Sequence, residues 1–267
     1  MRPILVNIPV PFTGIEVSFA SYSTILAISF VIGIYLAARR WEKIGGDPQF
    51  MVITSIYGMV FTLAGAKIFY IAQNFHQYHL ILHSQSIGDF LRIFKGGLVF
   101  YGGLIGGIGG TVIYLYRKRA DILLFLDTIV GPMALGNFFV RIGCFLNGCC
   151  YGKPTTVPWG IRFPPGSNPE KYYSAAVHPA QLYESFFALA LFGILMHMSG
   201  KAGPKGRIFL AYVFLYSVGR FMIEFFRGDA VRGVYGALST SQWIGIVLAL
   251  VSLYALIRLY PGAYARK

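Results

Sequence analysis

Charged side chains are scarce in this sequence. They make up 12% of its 267 residues, where a soluble domain carries about 25%. With 56% hydrophobic residues and a mean hydropathy of +0.61, that scarcity excludes an ordinary water-soluble domain. Cysteine is rarer still: Cys144, Cys149 and Cys150 are the three present. They are too few and too close together for a disulfide framework, and C-x4-C-C is not a zinc-ligand spacing. They read as small buried hydrophobes, and no metal is assigned. No internal repeat of the kind that marks transporters is visible. The N-terminus lacks the charged region, short apolar core and cleavage site of a signal peptide, so residues 1–18 are expected as a retained outer arm.

What is present in abundance is long apolar runs. Seven approach the roughly 20 residues that cross a bilayer, at about 19–38, 52–73, 97–116, 122–146, 181–198, 207–226 and 241–259. The expected fold is an all-α polytopic membrane protein with seven transmembrane helices, forming one integral-membrane domain over residues 1–267. The formal charge of +13 is distributed as topology. Arg39, Arg40, Lys43, Arg117, Lys118, Arg119, Lys201, Lys205, Arg207, Arg258, Arg266 and Lys267 fill alternate short connections, which is twelve of the 23 basic residues. This positive-inside pattern places the N-terminus outside and the C-terminus in the cytoplasm. Nucleic acid is excluded as a partner, and the basic excess faces anionic lipid. The loop at 147–180, with Trp159-Gly160 and a Phe-Pro-Pro-Gly turn (Phe163 to Gly166), is expected as a small extracytoplasmic cap.

The chemistry-bearing residues interrupt these apolar runs. GNFFVRIGCFLNGCCYG (Gly136 to Gly152) carries Arg141 and Asn147. HPAQLYE opens span five with His178, Gln181 and Glu184. GRFMIEFFRGD ends span six with Arg220, Glu224 and Arg227, which a continuous helix would place on one face. Lys67 and Tyr70 lie late in span two, and a lysine there can snorkel to the interface. Span three opens on KGGLVFYGGLIGGIGG, whose glycines suit close helix packing and whose Tyr101 sets a hydroxyl among them. His76, His79 and His83 in the second outer loop lack a nearby cysteine or acid and are not assigned to a metal. That loop, with Phe90–Phe94, is expected to lie in the outer interface.

Given the alternating orientation, Tyr22, Tyr101 and Glu184 stand at span starts, while Lys67, Arg141, Asn147, Arg220, Glu224 and Arg227 stand towards span ends. All fall in the outer half of the membrane. An ionised residue at the bilayer centre costs roughly 2.5–3.5 kcal/mol, so Arg141, Glu184, Arg220 and Glu224 unpaired would cost on the order of 10. They must be paired, wet or facing an anion. Two carboxylates against Arg141, Arg220, Arg227 and Lys67 leave a positive excess, and guanidinium forks suit phosphate oxygens. A phospholipid head group is the natural ligand.

Five segments in order, GAKIFY, GGLVFYGGLIGG, RIGCFLNGCCYG, HPAQLYE and GRFMIEFFR, resemble the bacterial prolipoprotein diacylglyceryl transferases over nearly the whole chain. The resemblance implies transfer of the diacylglyceryl group of phosphatidylglycerol to the lipobox cysteine of a preprolipoprotein. The products are a thioether and glycerol 1-phosphate. It implies no cofactor, a bacterial cytoplasmic (inner) membrane location, and an active site towards the outer leaflet. Arg141, Asn147 and Gly152 fall on the family signature, Arg220, Glu224 and Arg227 on its span-six motif, and Tyr22 on its span-one tyrosine. Three positions depart: Tyr101 stands for the histidine before the paired glycines, Cys144 for an asparagine, and Cys149 for a glutamate.

The expected roles follow. Arg141 and Arg220 hold the phosphate. Tyr101, with Glu184 or Glu224, positions or deprotonates the acceptor. Tyr22 and Asn147 orient the glycerol, while Lys67, Gly102, Gly103, His178 and Arg227 line the substrate. The protein is expected as a monomer. Two other readings remain: a homologue using the same lipid donor with a different thiol or hydroxyl acceptor, and a lipid or anion transporter, against which the missing repeat counts.

Overall fold

The computed structural model describes residues 4–9, 16–75, 97–165, 174–228 and 233–259. The histidines at 76, 79 and 83, the Phe90–Phe94 segment, Gly166, Arg266 and Lys267 lie outside these residues. Among the described residues the fold is helical, with seven helices: α1 (Ser21–Lys43), α2 (Pro48–Gln73), α3 (Phe100–Arg117), α4 (Ile122–Asn147), α5 (Ala180–Ser199), α6 (Arg207–Glu224) and α7 (Thr240–Leu259). Two small antiparallel ribbons accompany them, β1 (Ile4–Pro9) with β2 (Glu16–Ala20) and β3 (Val234–Tyr235) with β4 (Leu238–Ser239). Five helices, α1, α2, α4, α5 and α7, are long and apolar enough to cross a membrane. The other two are diluted for different reasons: α3 by six glycines, α6 by Arg207, Arg220 and Glu224.

The helix ends follow local chemistry. Asp47 caps α2, its carboxylate accepting from Gln49 N at 2.9 Å, and Pro48 occupies the first turn where no donor is needed. Ser239 and Gln242 form a reciprocal capping box at α7. Ser239 Oγ accepts from Gln242 N at 3.3 Å, and Gln242 Oε1 accepts from Ser239 N at 2.9 Å. The start of α6 is capped from a distant helix: the α4 residue Asp127 accepts from Gly206 N and Phe209 N, both at 2.7 Å. A buried carboxylate in an apolar helix is thereby spent on orphan helix-terminal donors.

The backbone packs as two compact units, Met1–Ala37 with Leu126–Lys267, and Ala38–Phe125. In the second, α2 and α3 meet along their small residues. A Cβ on Gly102 would lie 2.4 Å from Gly65 O, and one on Gly106 would lie 2.3 Å from Phe61 O. Backbones this close require glycine, the packing logic of membrane helices. In the first unit, Val130 and Ala134 of α4 pack with Leu191 and Leu195 of α5, under Phe187, Ile208, Tyr212 and Leu215. A second small core, Tyr151, Phe163 and Val177, holds the loop between α4 and α5. Isolated bridges Pro154–Val177 and Ile161–Val177 tie that loop to itself. Large apolar side chains cover the outside, among them Val247, Leu250, Val251 and Ile257 of α7. Such faces fit a hydrocarbon surround.

Candidate active site

The site is built on the buried stripe of α5, where Gln181, Glu184, Ser185 and Ala188 recur at helical spacing. Two of these side chains fasten α5 to the end of α4. Ser185 Oγ donates to Phe138 O at 3.1 Å, and Gln181 Nε2 donates to Cys149 O at 2.7 Å. Phe138 and Arg141 are one helical turn apart, so the same docking sets Glu184 beside Arg141. The Arg141 Nε lies 2.6 Å from Glu184 Oε2.

Two more guanidiniums converge on the same carboxylate. Arg227 Nη1 donates to Glu184 Oε1 at 3.1 Å, and Arg220 Nη1 lies 3.5 Å from that oxygen. Arg220 Nη1 also lies 2.5 Å from Glu224 Oε2, one turn along α6. Glu184 is 3% exposed and Glu224 6%. Among the described residues, three guanidiniums against two carboxylates leave one net positive charge in a nearly dry cluster. Paired charges of this kind offset the cost of burial, and the surplus favours an anion.

Arg227 reaches the cluster by a route that the sequence spacing misreads. A continuous helix would place Arg220, Glu224 and Arg227 on one face, but α6 ends at Glu224 and Phe225 is its C-cap. Arg227 lies in an isolated bridge with Gly152 instead. Gly228 N donates to Tyr151 O at 3.0 Å and Lys153 N to Phe226 O at 2.8 Å. The loop after α4 therefore carries Arg227 to Glu184. Gly152 is squeezed there: a Cβ would lie 2.4 Å from His178 O and 2.7 Å from Phe226 O.

Other expected site residues border this cluster. Tyr22 packs on Gly143, whose Cβ would lie 3.4 Å from the tyrosine ring. Asn147 is exposed at the end of α4. His178 Nδ1 is 3.1 Å from Tyr183 OH, which accepts from Trp159 Nε1 at 2.8 Å. That network of His178, Tyr183, Trp159 and Phe226 was not legible in the sequence, since its members are spread along the chain. Gln181 was read only as a neighbour of Glu184, and Ser185 not at all.

The remaining expected residues belong to the Ala38–Phe125 unit. Tyr101 is 70% exposed, in the first turn of α3 with Phe100 at its edge. Gly102 and Gly103 are buried against α2, the first on Gly65 and Phe69 and the second on Thr62 and Ala66. The Lys67 ammonium lies 5.3 Å from the centre of the Tyr70 ring, a cation–π distance.

The family model for prolipoprotein diacylglyceryl transferase matches residues 9–258. A phosphatidylglycerol–prolipoprotein diacylglyceryl transferase of Clostridium tetani is 35% identical over 249 residues, 92% of this chain and 95% of its own length. The second such enzyme of Clostridium perfringens is 33% identical over 86% of this chain and 87% of its length. That of Thermosynechococcus vestitus is 30% identical over 94% of this chain and 93% of its own.

Proposed function

This chain belongs to the prolipoprotein diacylglyceryl transferase family, and we propose that its reaction is carried out at the Glu184-centred arginine cluster. The enzyme transfers the diacylglyceryl group of phosphatidylglycerol to the cysteine thiol of a prolipoprotein. The sulfur attacks the glyceryl carbon, a thioether forms, and the C–O bond to the phosphate breaks. Glycerol 1-phosphate leaves with the electron pair, and the thiol proton passes to a base or to solvent.

The observation that carries this assignment is the convergence of Arg141, Arg220 and Arg227 on one buried carboxylate. Arg141 engages Glu184 through Nε, which leaves its Nη donors for a phosphate oxygen. Arg220 stands between Glu184 and Glu224 and offers the second fork. The field of the cluster stabilises the charge that develops on the departing phosphate. Glu184 already accepts from several guanidiniums, so its primary work is to hold them in place. Glu224, 2.5 Å from Arg220, is the carboxylate assigned to the thiol proton. Tyr22 and Asn147 orient the glycerol; His178 and Arg227 line the approach. Tyr101 is assigned to hydrogen-bonding the donor or acceptor, with Lys67, Gly102 and Gly103 as its surroundings on the family motif.

The finer topology belongs to the same proposal. Seven crossings in one membrane-embedded domain, with the N-terminus out and the C-terminus in the cytoplasm, agree with the basic residues at 39–43, 117–119 and 201–207. The site then opens to the outer leaflet of the inner membrane, where a monomer meets both lipid and acceptor. Purified protein in detergent, given phosphatidylglycerol and a lipobox peptide, tests the function. A peptide heavier by one diacylglyceryl group, with glycerol 1-phosphate released, is expected. An unmodified peptide beside a transferred hydroxyl or different thiol acceptor supports the homologue with another acceptor.

A further inference from the structure

The three cysteines converge for identifiable reasons. The end of α4 is a Schellman motif: Cys149 N donates to Cys144 O at 3.1 Å and Gly148 N to Phe145 O at 3.2 Å, with Gly148 at φ +75°. This motif brings the side chains at its two outer positions together, and here those positions are Cys144 and Cys149. Cys150 follows with φ +60°, a left-handed conformation that residues other than glycine seldom adopt. The turn brings the third thiol back onto the first two, so that all three sulfurs lie within 4.8 Å of one another.

We propose that Cys144, Cys149 and Cys150 form a three-coordinate thiolate site for a soft, thiophilic metal ion, with Cu(I) as the ion that it fits. A metal–sulfur bond of about 2.3 Å places three sulfurs about 4.0 Å apart in a trigonal plane. Each sulfur here has less than an ångström to move. Among the described residues no carboxylate or imidazole joins this group, whereas zinc favours four ligands in a tetrahedron. Soft thiolates select Cu(I). Binding releases three thiol protons and changes no oxidation state.

Metal occupancy is wired to the arginine cluster. Cys149 O accepts from Gln181, one turn before Glu184, and Cys150 is two residues from Gly152, which bridges Arg227. Tightening the three thiols pulls on both supports, so Cu(I) modulates the transfer reaction proposed above. The binding measurement is independent of that reaction, which keeps a failure of one distinct from a failure of the other.

Reduced, detergent-solubilised protein is titrated anaerobically against Cu(I) held by bathocuproine disulfonate. One equivalent of Cu(I) leaves the chelator per chain, and Cys144→Ser and Cys149→Ser each weaken retention at least tenfold. In the wild type, bound Cu(I) protects all three thiols from N-ethylmaleimide, a readout that needs no variant. Four outcomes overturn the site. Cu(I) stays on the chelator, or the triple serine variant takes it equally well, or Zn(II) is bound while Cu(I) is refused. A chain that remains two hydrogens light by intact mass after reductant also overturns it, because two of the thiols are then a disulfide.

Discussion

The Arg141 Nε and the Glu184 Oε2 lie 2.6 Å apart, and the other oxygen of that carboxylate accepts from Arg227 at 3.1 Å. One acid thus joins α4, α5 and the segment after α6. Glu184→Gln keeps the shape but leaves three guanidiniums against Glu224. Breaking a buried charge network by removing one partner costs about 3–5 kcal/mol. A large drop in the thermal midpoint of the detergent-solubilised protein is expected, together with loss of transfer. An unchanged midpoint would show that Glu184 is not the structural hub.

Gly152 is confined between His178 O and Phe226 O. Gly152→Ala forces the loop and the Arg227 segment apart, and overpacking of this kind costs about 1–3 kcal/mol. Because the strain displaces Arg227, activity should fall more steeply than the melting temperature. Wild-type turnover in this variant would detach the loop from the site.

Tyr101 is the position at which the family resemblance implies a histidine. Tyr101→Phe removes the hydroxyl and leaves the ring, which is already 70% exposed. A fall in turnover of at least tenfold, about 1.4 kcal/mol of barrier, is expected with no change in melting. Undiminished activity on verified lipid substrate assigns the ring to packing and removes Tyr101 from the chemistry.

The cysteines are expected to be dispensable for transfer itself. A variant with serine at 144, 149 and 150 should fold and keep most of its basal, metal-free activity. A well-folded variant without turnover, or a lipid adduct on one of these sulfurs in the wild type, would instead point to a covalent step.

Much of the helical frame was readable because the apolar runs are long, and most of their ends agree with the helices to within a few residues. The Arg220–Glu224 pair was readable too, since i,i+4 spacing survives in α6. Arg227 was not, because a helix end is decided by loop pairing 75 residues away, at Gly152. The hub role of Glu184 needs partners from three segments, and no local pattern carries that. Asp127 was given no role in the sequence, because the helix that it caps starts 80 residues later. Of the three cysteines expected to be buried, Cys144 is buried and Cys149 and Cys150 are partly exposed; linear spacing did not show their convergence, and Asn147-Gly148 after a long apolar run was the signal for a turn that brings Cys144 and Cys149 together. The β1–β2 ribbon in the N-terminal arm was missed, although ILVNIP and EVSFA have strand composition.

The central claim is that guanidinium forks at Glu184 hold the phosphate of the lipid donor. The most direct measurement is the kcat/KM of Arg220→Lys for phosphatidylglycerol, with the lipobox peptide saturating and the fold verified by its melting curve. Lysine keeps the charge but loses the planar fork. A loss of at least tenfold is predicted, about 1.4 kcal/mol of transition-state stabilisation; a kcat/KM equal to wild type contradicts the claim.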